Sequence, residues 1–181
     1  VLINADNNSK VENYGDEPIL LSSRLRNIPI AVGANKFNAA LQLIKKNKVD
    51  VLLFDDGFQS RKIYRDLDIV LLNVFNVIRD YKMFPFGILR EPVKCIGRAD
   101  FVIFTKDNLI NPRSEVPHLI GKHINDNVFY SSYKLEKIFC ESSKDNFNKD
   151  KVIAVSGVGD PHSFELSLLK ENVNILHHFK F

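Results

Sequence analysis

The chain has 181 residues, enough for one medium domain or one and a half small ones, and 45% of them are apolar against 26% charged, which excludes a disordered chain. A net charge of +3 without a long block of one sign gives no reason to expect nucleic acid as a partner, whereas a mild basic excess suits an anionic substrate or a membrane surface. No apolar run reaches the length of a membrane span and no signal peptide is visible; Cys95 and Cys140 lack metal-ligand spacing and read as buried free thiols of a reducing compartment.

In chain order, Val1–Ala5 reads as a short strand and Asp6–Lys10 as a polar turn. The chain starts on Val rather than Met, so a piece of something longer is expected. Asp16 in an N-cap position, with Glu17 and Pro18 in the first turn, predicts a helix carrying Ile19, Leu20, Leu21 and Leu25. A carboxylate held there is either simply the cap or a base held rigidly at the positive end of a helix. Pro29–Val32 predicts a strand, and Lys36–Lys46 a helix with Phe37, Ala40, Leu41 and Ile44 along one face.

Val49–Phe54 (VDVLLF) is short, apolar and stopped by Asp55 and Asp56, the pattern of a buried parallel strand ending at a site. In open α/β sheets ligands bind outside the carboxyl ends of the strands. Two adjacent acids at such an end suit a hydrated Mg²⁺ beside nucleotide phosphates, and the plain alternative is a polar turn. The eight glycines contain no G-x-x-x-x-G-K-[ST] phosphate loop: Gly121-Lys122 lacks both the upstream glycine and the hydroxyl residue.

Asp68–Val74 is another buried strand, which continues the strand–helix–strand rhythm of a parallel sheet. Tyr81–Pro92 (YKMFPFGILREP) is an apolar loop, read either as a lid packed on its domain or as a place to meet a lipid or a membrane. A short helix over Pro92–Arg98 and a strand over Asp100–Thr105 follow. From Lys106 the rhythm changes: a polar linker, a short helix near Leu119–Ile124, an alternating strand Val128–Leu135 and a charged loop Glu141–Asp150. A strand Lys151–Ser156, a helix Pro161–Glu171 capped by Asp160, and a strand Asn174–Phe181 close the chain. Gly157-x-Gly159 lacks the third glycine of a dinucleotide fingerprint and reads as a tight turn into that helix.

Taken in order, GDEP (Gly15–Pro18), DDGFQ (Asp55–Gln59), RDLDIV (Arg65–Val70), LREP (Leu89–Pro92), RADFVIFTK (Arg98–Lys106) and SGVGDPHSFE (Ser156–Glu165) resemble the tetraacyldisaccharide 4′-kinase family, the lipid A 4′-kinases. The resemblance implies transfer of the γ-phosphoryl of ATP, with Mg²⁺, to the 4′-hydroxyl of an acylated disaccharide phosphate lipid. It also implies peripheral work at the cytoplasmic face of the bacterial inner membrane. Carried over by position, Asp55 and Asp56 are the Walker B acids, Asp55 for the metal and Asp56 for catalysis. Asp16 is the base with Glu17 beside it, Gln59 and Lys36 are nucleotide contacts, Arg90 steadies phosphoryl charge and Glu91 supports the metal.

The implied fold is α/β, a P-loop NTPase-like, mostly parallel sheet with flanking helices and a smaller second α/β unit. The expected division is 1–106 for the kinase core, 107–150 for a linker and strand region, and 151–181 for the start of the second unit. Several family features are expected outside this chain: the phosphate loop, the N-terminal membrane-proximal helix and an Asp-His-His motif beyond Phe181. Ser60 stands where a His commonly follows the Gln, and Lys36 where many members carry Arg. His177 and His178 are read as structural. On this reading the chain alone is not competent for catalysis. The competing readings are a non-catalytic binding module on a nucleotide fold and a P-loop kinase of a soluble substrate.

Overall fold

The computed structural model describes residues 2–3, 14–75, 81–87, 89–109, 116–138 and 149–181, and they belong to two compact units, Val1–Arg65 and Asp66–Phe181. Cys140 and most of the loops expected at Asp6–Lys10 and Glu141–Asp150 lie outside the described residues.

In the first unit, β1 (Leu2–Ile3) runs antiparallel to β2 (Ile30–Ala31), with Leu2 opposite Ala31 and Ile3 opposite Ile30. Helix α1 (Asp16–Arg24) begins one residue earlier than its sequence signal suggests. Gly15 is the cap, at φ 85, and Asp16 is the first helical residue. Only a residue without Cβ takes that φ readily. Helix α2 (Lys36–Lys46) keeps its expected bounds because both ends carry the right chemistry. The Asn35 side chain accepts the N–H of Asn38 at 3.1 Å, and Lys45 and Lys46 sit at the negative end.

Two expectations for this unit fail. Phe37, Leu41 and Ile44 of α2 are exposed, and Leu43 is the residue that the helix buries. Val49–Phe54 belongs to no strand, with Val51 74% and Leu53 94% exposed. The reason is common to both: an apolar run becomes a buried strand only when neighbours complete its ladder, and the helix meant to cover that sheet then has a face to lie on. Among the described residues no strand pairs with 49–54.

The second unit holds β3 (Ile69–Asn73), β4 (Phe101–Thr105) and β5 (Val128–Ser131) as a parallel sheet in that order. Val70 pairs with Val102 and Val102 with Val128. Alternation along β4 buries Val102 and Phe104 at 2% and 1% exposure, and the Phe104 ring stacks on Tyr130 with centroids 5.4 Å apart. Helix α3 (Val116–Gly121) starts a turn earlier than expected; Pro117 is tolerated in a first turn, and Val116 and Ile120, four apart, are the residues it buries. Residues 93–98 form a 3₁₀ turn (Val93–Arg98) rather than a regular helix.

The strands β6 (Val152–Ser156) and β7 (Ile175–Lys180) are parallel and joined by α4 (Pro161–Lys170). Ala154, Leu168 and Val173 form the core beneath them. As expected, Asp160 caps α4, accepting the Ser163 N–H at 3.1 Å, with Pro161 at the first helical position.

Lys106, where the sequence rhythm changes, lies within the unit Asp66–Phe181. Asp160 explains why. Its Oδ2 accepts the Lys106 Nζ at 2.5 Å and the Asn73 amide at 3.0 Å, so the α4 end is fastened to the carboxyl ends of β3 and β4. Lys106 sits at φ 66, and its ammonium lies over the rings of Phe75 and Tyr133 at 5.8 and 5.6 Å.

Partial burial pushes the Asp160 carboxyl up, but the bonds from Lys106, Asn73 and the Ser163 backbone outweigh it and bring the pKa from 3.8 down to about 2. A carboxylate whose folded pKa lies below its unfolded one stabilises fully above the unfolded value and loses that contribution as pH falls toward the folded value. Asp160→Asn keeps the cap and removes the charge. Urea unfolding at neutral pH should show a loss of about 1–3 kcal/mol, and the difference between parent and variant should close as pH falls from 3.8 toward 2.

Candidate functional site

The first unit brings Lys36 to the Asp55-Asp56 turn. The ammonium of Lys36, the first residue of α2, donates to the carbonyl of Asp55 and, at 3.1 Å, to that of Asp56. Asp56 has φ 48, a left-handed backbone that Asp tolerates better than most residues. Gly57 is buried, and a Cβ there would meet the Cβ of Phe54 at 3.0 Å, so a larger residue would have to push Phe54 aside. Asp55 and Asp56 are both exposed.

Arg65 braces the same loop from its other end. One guanidinium nitrogen donates to the carbonyls of Ser60 at 2.8 Å and Ile63 at 3.0 Å, the other to that of Phe58 at 3.4 Å. The Ser60 N–H returns to the Gly57 carbonyl at 2.9 Å. A planar fork suits this task, because it reaches several carbonyls at once. Sequence reading quoted Arg65 inside a motif without giving it a task; nothing in its spacing shows that its partners are carbonyls up to seven residues back. Gln59 is exposed on the loop so held.

Asp16 and Glu17 lie on another element of this unit, exposed in the first turn of α1, and the Glu17 N–H donates to Asp16 Oδ1 at 3.0 Å. The acid is thus oriented by a neighbouring amide, and it is not the cap of the helix. Arg90 and Glu91 belong to the second unit. Arg90 is exposed, and Glu91 accepts Arg98 at 2.8 Å. A carboxylate engaged by a guanidinium is primarily a fixed point for its loop.

Mg²⁺ at phosphoryl-transfer sites typically takes one or two carboxylates and completes its shell with water and phosphate oxygens. The exposed pair Asp55 and Asp56 fits that demand. Among the described residues no group of three or more His, Cys, Asp or Glu gathers as a protein-only metal cage.

The second unit also holds a polar relay that sequence reading passed over. His178, on β7, sets Nε2 2.8 Å from Ser156 Oγ of β6 and Nδ1 3.2 Å from Glu165 Oε2 of α4. With Nδ1–H facing the carboxylate, Nε2 is left to accept the Ser156 hydroxyl. Hydrogen bonding from His178, and then from Lys180 at 3.3 Å, holds the Glu165 carboxyl below its usual range. The His178 side chain is 4% exposed and Ser156 is buried, so the relay ties two strands to a helix. His177, its neighbour, is exposed. Two adjacent histidines look alike in sequence; the pleat sends them to opposite faces.

A family model described as LpxK, tetraacyldisaccharide-1-P 4′-kinase, matches residues 1–181. The tetraacyldisaccharide 4′-kinase of Bdellovibrio bacteriovorus is 33% identical over 172 residues, covering 91% of this chain and 50% of that protein. That of Pelobacter propionicus is 30% identical over 175 residues, covering 92% and 46%. Among solved structures, LpxK from Aquifex aeolicus, an "apo" form in complex with ATP, is 26% identical with a TM-score of 0.70, covering all of this chain and 56% of that one. The chain spans about half the length of the curated relatives it matches. With a match that runs from its first residue to its last, the chain belongs to the tetraacyldisaccharide-1-P 4′-kinase family.

Proposed function

We propose that the protein to which this chain belongs transfers the γ-phosphoryl group of ATP to the 4′-hydroxyl of a tetraacyldisaccharide 1-phosphate lipid A precursor, working peripherally at the cytoplasmic face of the inner membrane. The observation that carries the reading is the Asp55-Asp56 turn, pinned by Lys36 and Arg65, in a chain that matches the kinase family throughout. The ATP held by the Aquifex aeolicus relative supports the choice of donor. No helix among the described residues is long and apolar enough to cross a membrane.

In this reading Asp55 and Asp56 hold Mg²⁺, which when bound neutralises charge on the phosphates. The transferred group demands positioning and charge stabilisation more than covalent help. Lys36 pins the Asp55 and Asp56 carbonyls and adds positive charge beside the phosphates, while Gln59 offers an amide from the same loop. Asp16, oriented by the Glu17 amide, takes the proton of the acceptor hydroxyl as the oxygen attacks. Arg90 steadies the charge spread over the transferring group. Glu91 serves this arrangement through Arg98, which fixes the segment on which Arg90 is carried.

In the full-length protein, Asp16→Ala and Asp55→Ala should each lower kcat by about 100-fold or more in a radiolabelled phosphoryl-transfer assay. Both side chains are exposed, so thermal unfolding should not move; near-normal turnover in either variant removes that residue from the mechanism. Arg65→Lys tests the bracing of the loop. A lysine lacks the two spread nitrogens that reach these carbonyls, so the variant should lose about 1–2 kcal/mol of stability by urea unfolding and raise KM for ATP. Unchanged KM and stability would show that the loop holds itself.

A further inference from the structure

We propose that the turn formed by residues 82–87 and closed by Leu89 is the element by which this protein docks on an anionic phospholipid bilayer, with Phe84 and Phe86 entering the boundary between headgroups and acyl chains. The proposal rests on the reading of an acylated acceptor at a membrane surface and names the part of the chain that makes the contact.

The first observation is exposure. Phe84 and Phe86 are 79% and 85% exposed, and Met83 beside them is 43% exposed. Three large apolar side chains within four residues, all turned to solvent, form a projecting tip. Such a tip does not enclose a single acyl chain, which is the task of a concave site.

The second is the backbone. Apolar side chains can be taken into a lipid interface only if the peptide groups travelling with them are satisfied, because an unpaired group in that environment is costly. Here the Phe84 N–H donates to the Leu89 carbonyl at 2.9 Å, the Leu89 N–H to the Lys82 carbonyl at 3.0 Å and the Phe86 N–H to the Met83 carbonyl at 3.0 Å. Pro85 has no N–H to satisfy. The amides of the two phenylalanines are thus met within the turn itself.

The third is charge. Lys82 flanks the apolar residues and is exposed, and no acid occurs from 82 to 90. A cation with an apolar stem beside an aromatic tip is the pattern of a segment that lies in a bilayer surface and meets anionic headgroups. A protein partner of matching chemistry would have to present an apolar socket with an acidic rim. A bilayer rich in phosphatidylglycerol offers both at any point.

The test places a reporter at the tip of the full-length protein. The chain has no tryptophan, so Phe86→Trp adds a signal read as the difference from the parent protein. Vesicles of phosphatidylglycerol and phosphatidylethanolamine, without ATP or acceptor, should shift its emission to the blue, and brominated acyl chains should quench it. Phe84→Ser combined with Phe86→Ser should lower the vesicle partition coefficient by about tenfold, with an unchanged thermal midpoint, since both side chains are exposed. Lys82→Glu should weaken binding to the same vesicles.

A protein that floats with vesicles while the reporter stays unquenched overturns the proposal. So does equal binding to pure phosphatidylcholine, a blue shift that follows protein concentration without lipid and thus reports a second copy, or quenching only by a brominated acceptor below its aggregation limit. Because partition is read without substrate, loss of phosphoryl transfer in an otherwise lipid-binding protein would count against the proposed kinase reaction alone.

Discussion

The carboxylate of Asp160 is the constraint on which the second unit depends. With one oxygen it caps α4, and with the other it accepts Lys106 and Asn73 from the carboxyl ends of two neighbouring strands. The Lys106 and Asp160 side chains are largely removed from water, at 13% and 24% exposure. In that setting a lone charge is far more costly than a paired one. The pair thus acts as a fastener between the β3–β4–β5 sheet and the β6–α4–β7 segment. It also keeps Lys106 in a left-handed backbone that an ordinary loop residue would leave.

The first unit is organised by the opposite device, in which cations bind carbonyls. Lys36 and Arg65 draw the carbonyls of the loop inward, while its acids stay exposed. A carbonyl has little to gain from a metal at a distance, whereas a carboxylate pair facing water is ready to take a hydrated one. The main chain of the loop is held, and its two carboxylates are left facing water. It explains why a basic residue opens α2 at the position usually given to acids.

The residues proposed for the chemistry could be named from the sequence because they stand in contiguous motifs. Asp16-Glu17, Asp55-Asp56 and Arg90-Glu91 are adjacent pairs, and adjacency survives without a fold. What escaped were pairings between residues that are not adjacent. Arg98 takes up Glu91, Arg65 gathers its loop, and His178 joins Ser156 and Glu165. No spacing in the sequence marks these groups as one another's partners. Likewise the apolar run Val49–Phe54 signals a strand wherever it occurs, yet its exposed Val51 and Leu53 show that the run supplies only half of a ladder.

The sequence by itself determined the elements whose patterns carry their own chemistry: α2 with its terminal lysines, α4 behind Asp160 and Pro161, and the apolar β4. It also determined the family, because ordered motifs need no coordinates to be matched. The tertiary structure decided where the units divide, which acids are engaged and which face water, and that the amides of Phe84, Phe86 and Leu89 in a greasy loop are paired within it. The physical reason is that hydrogen bonds and ion pairs form between groups brought close by the fold, and a one-dimensional pattern records which groups exist but not which of them meet.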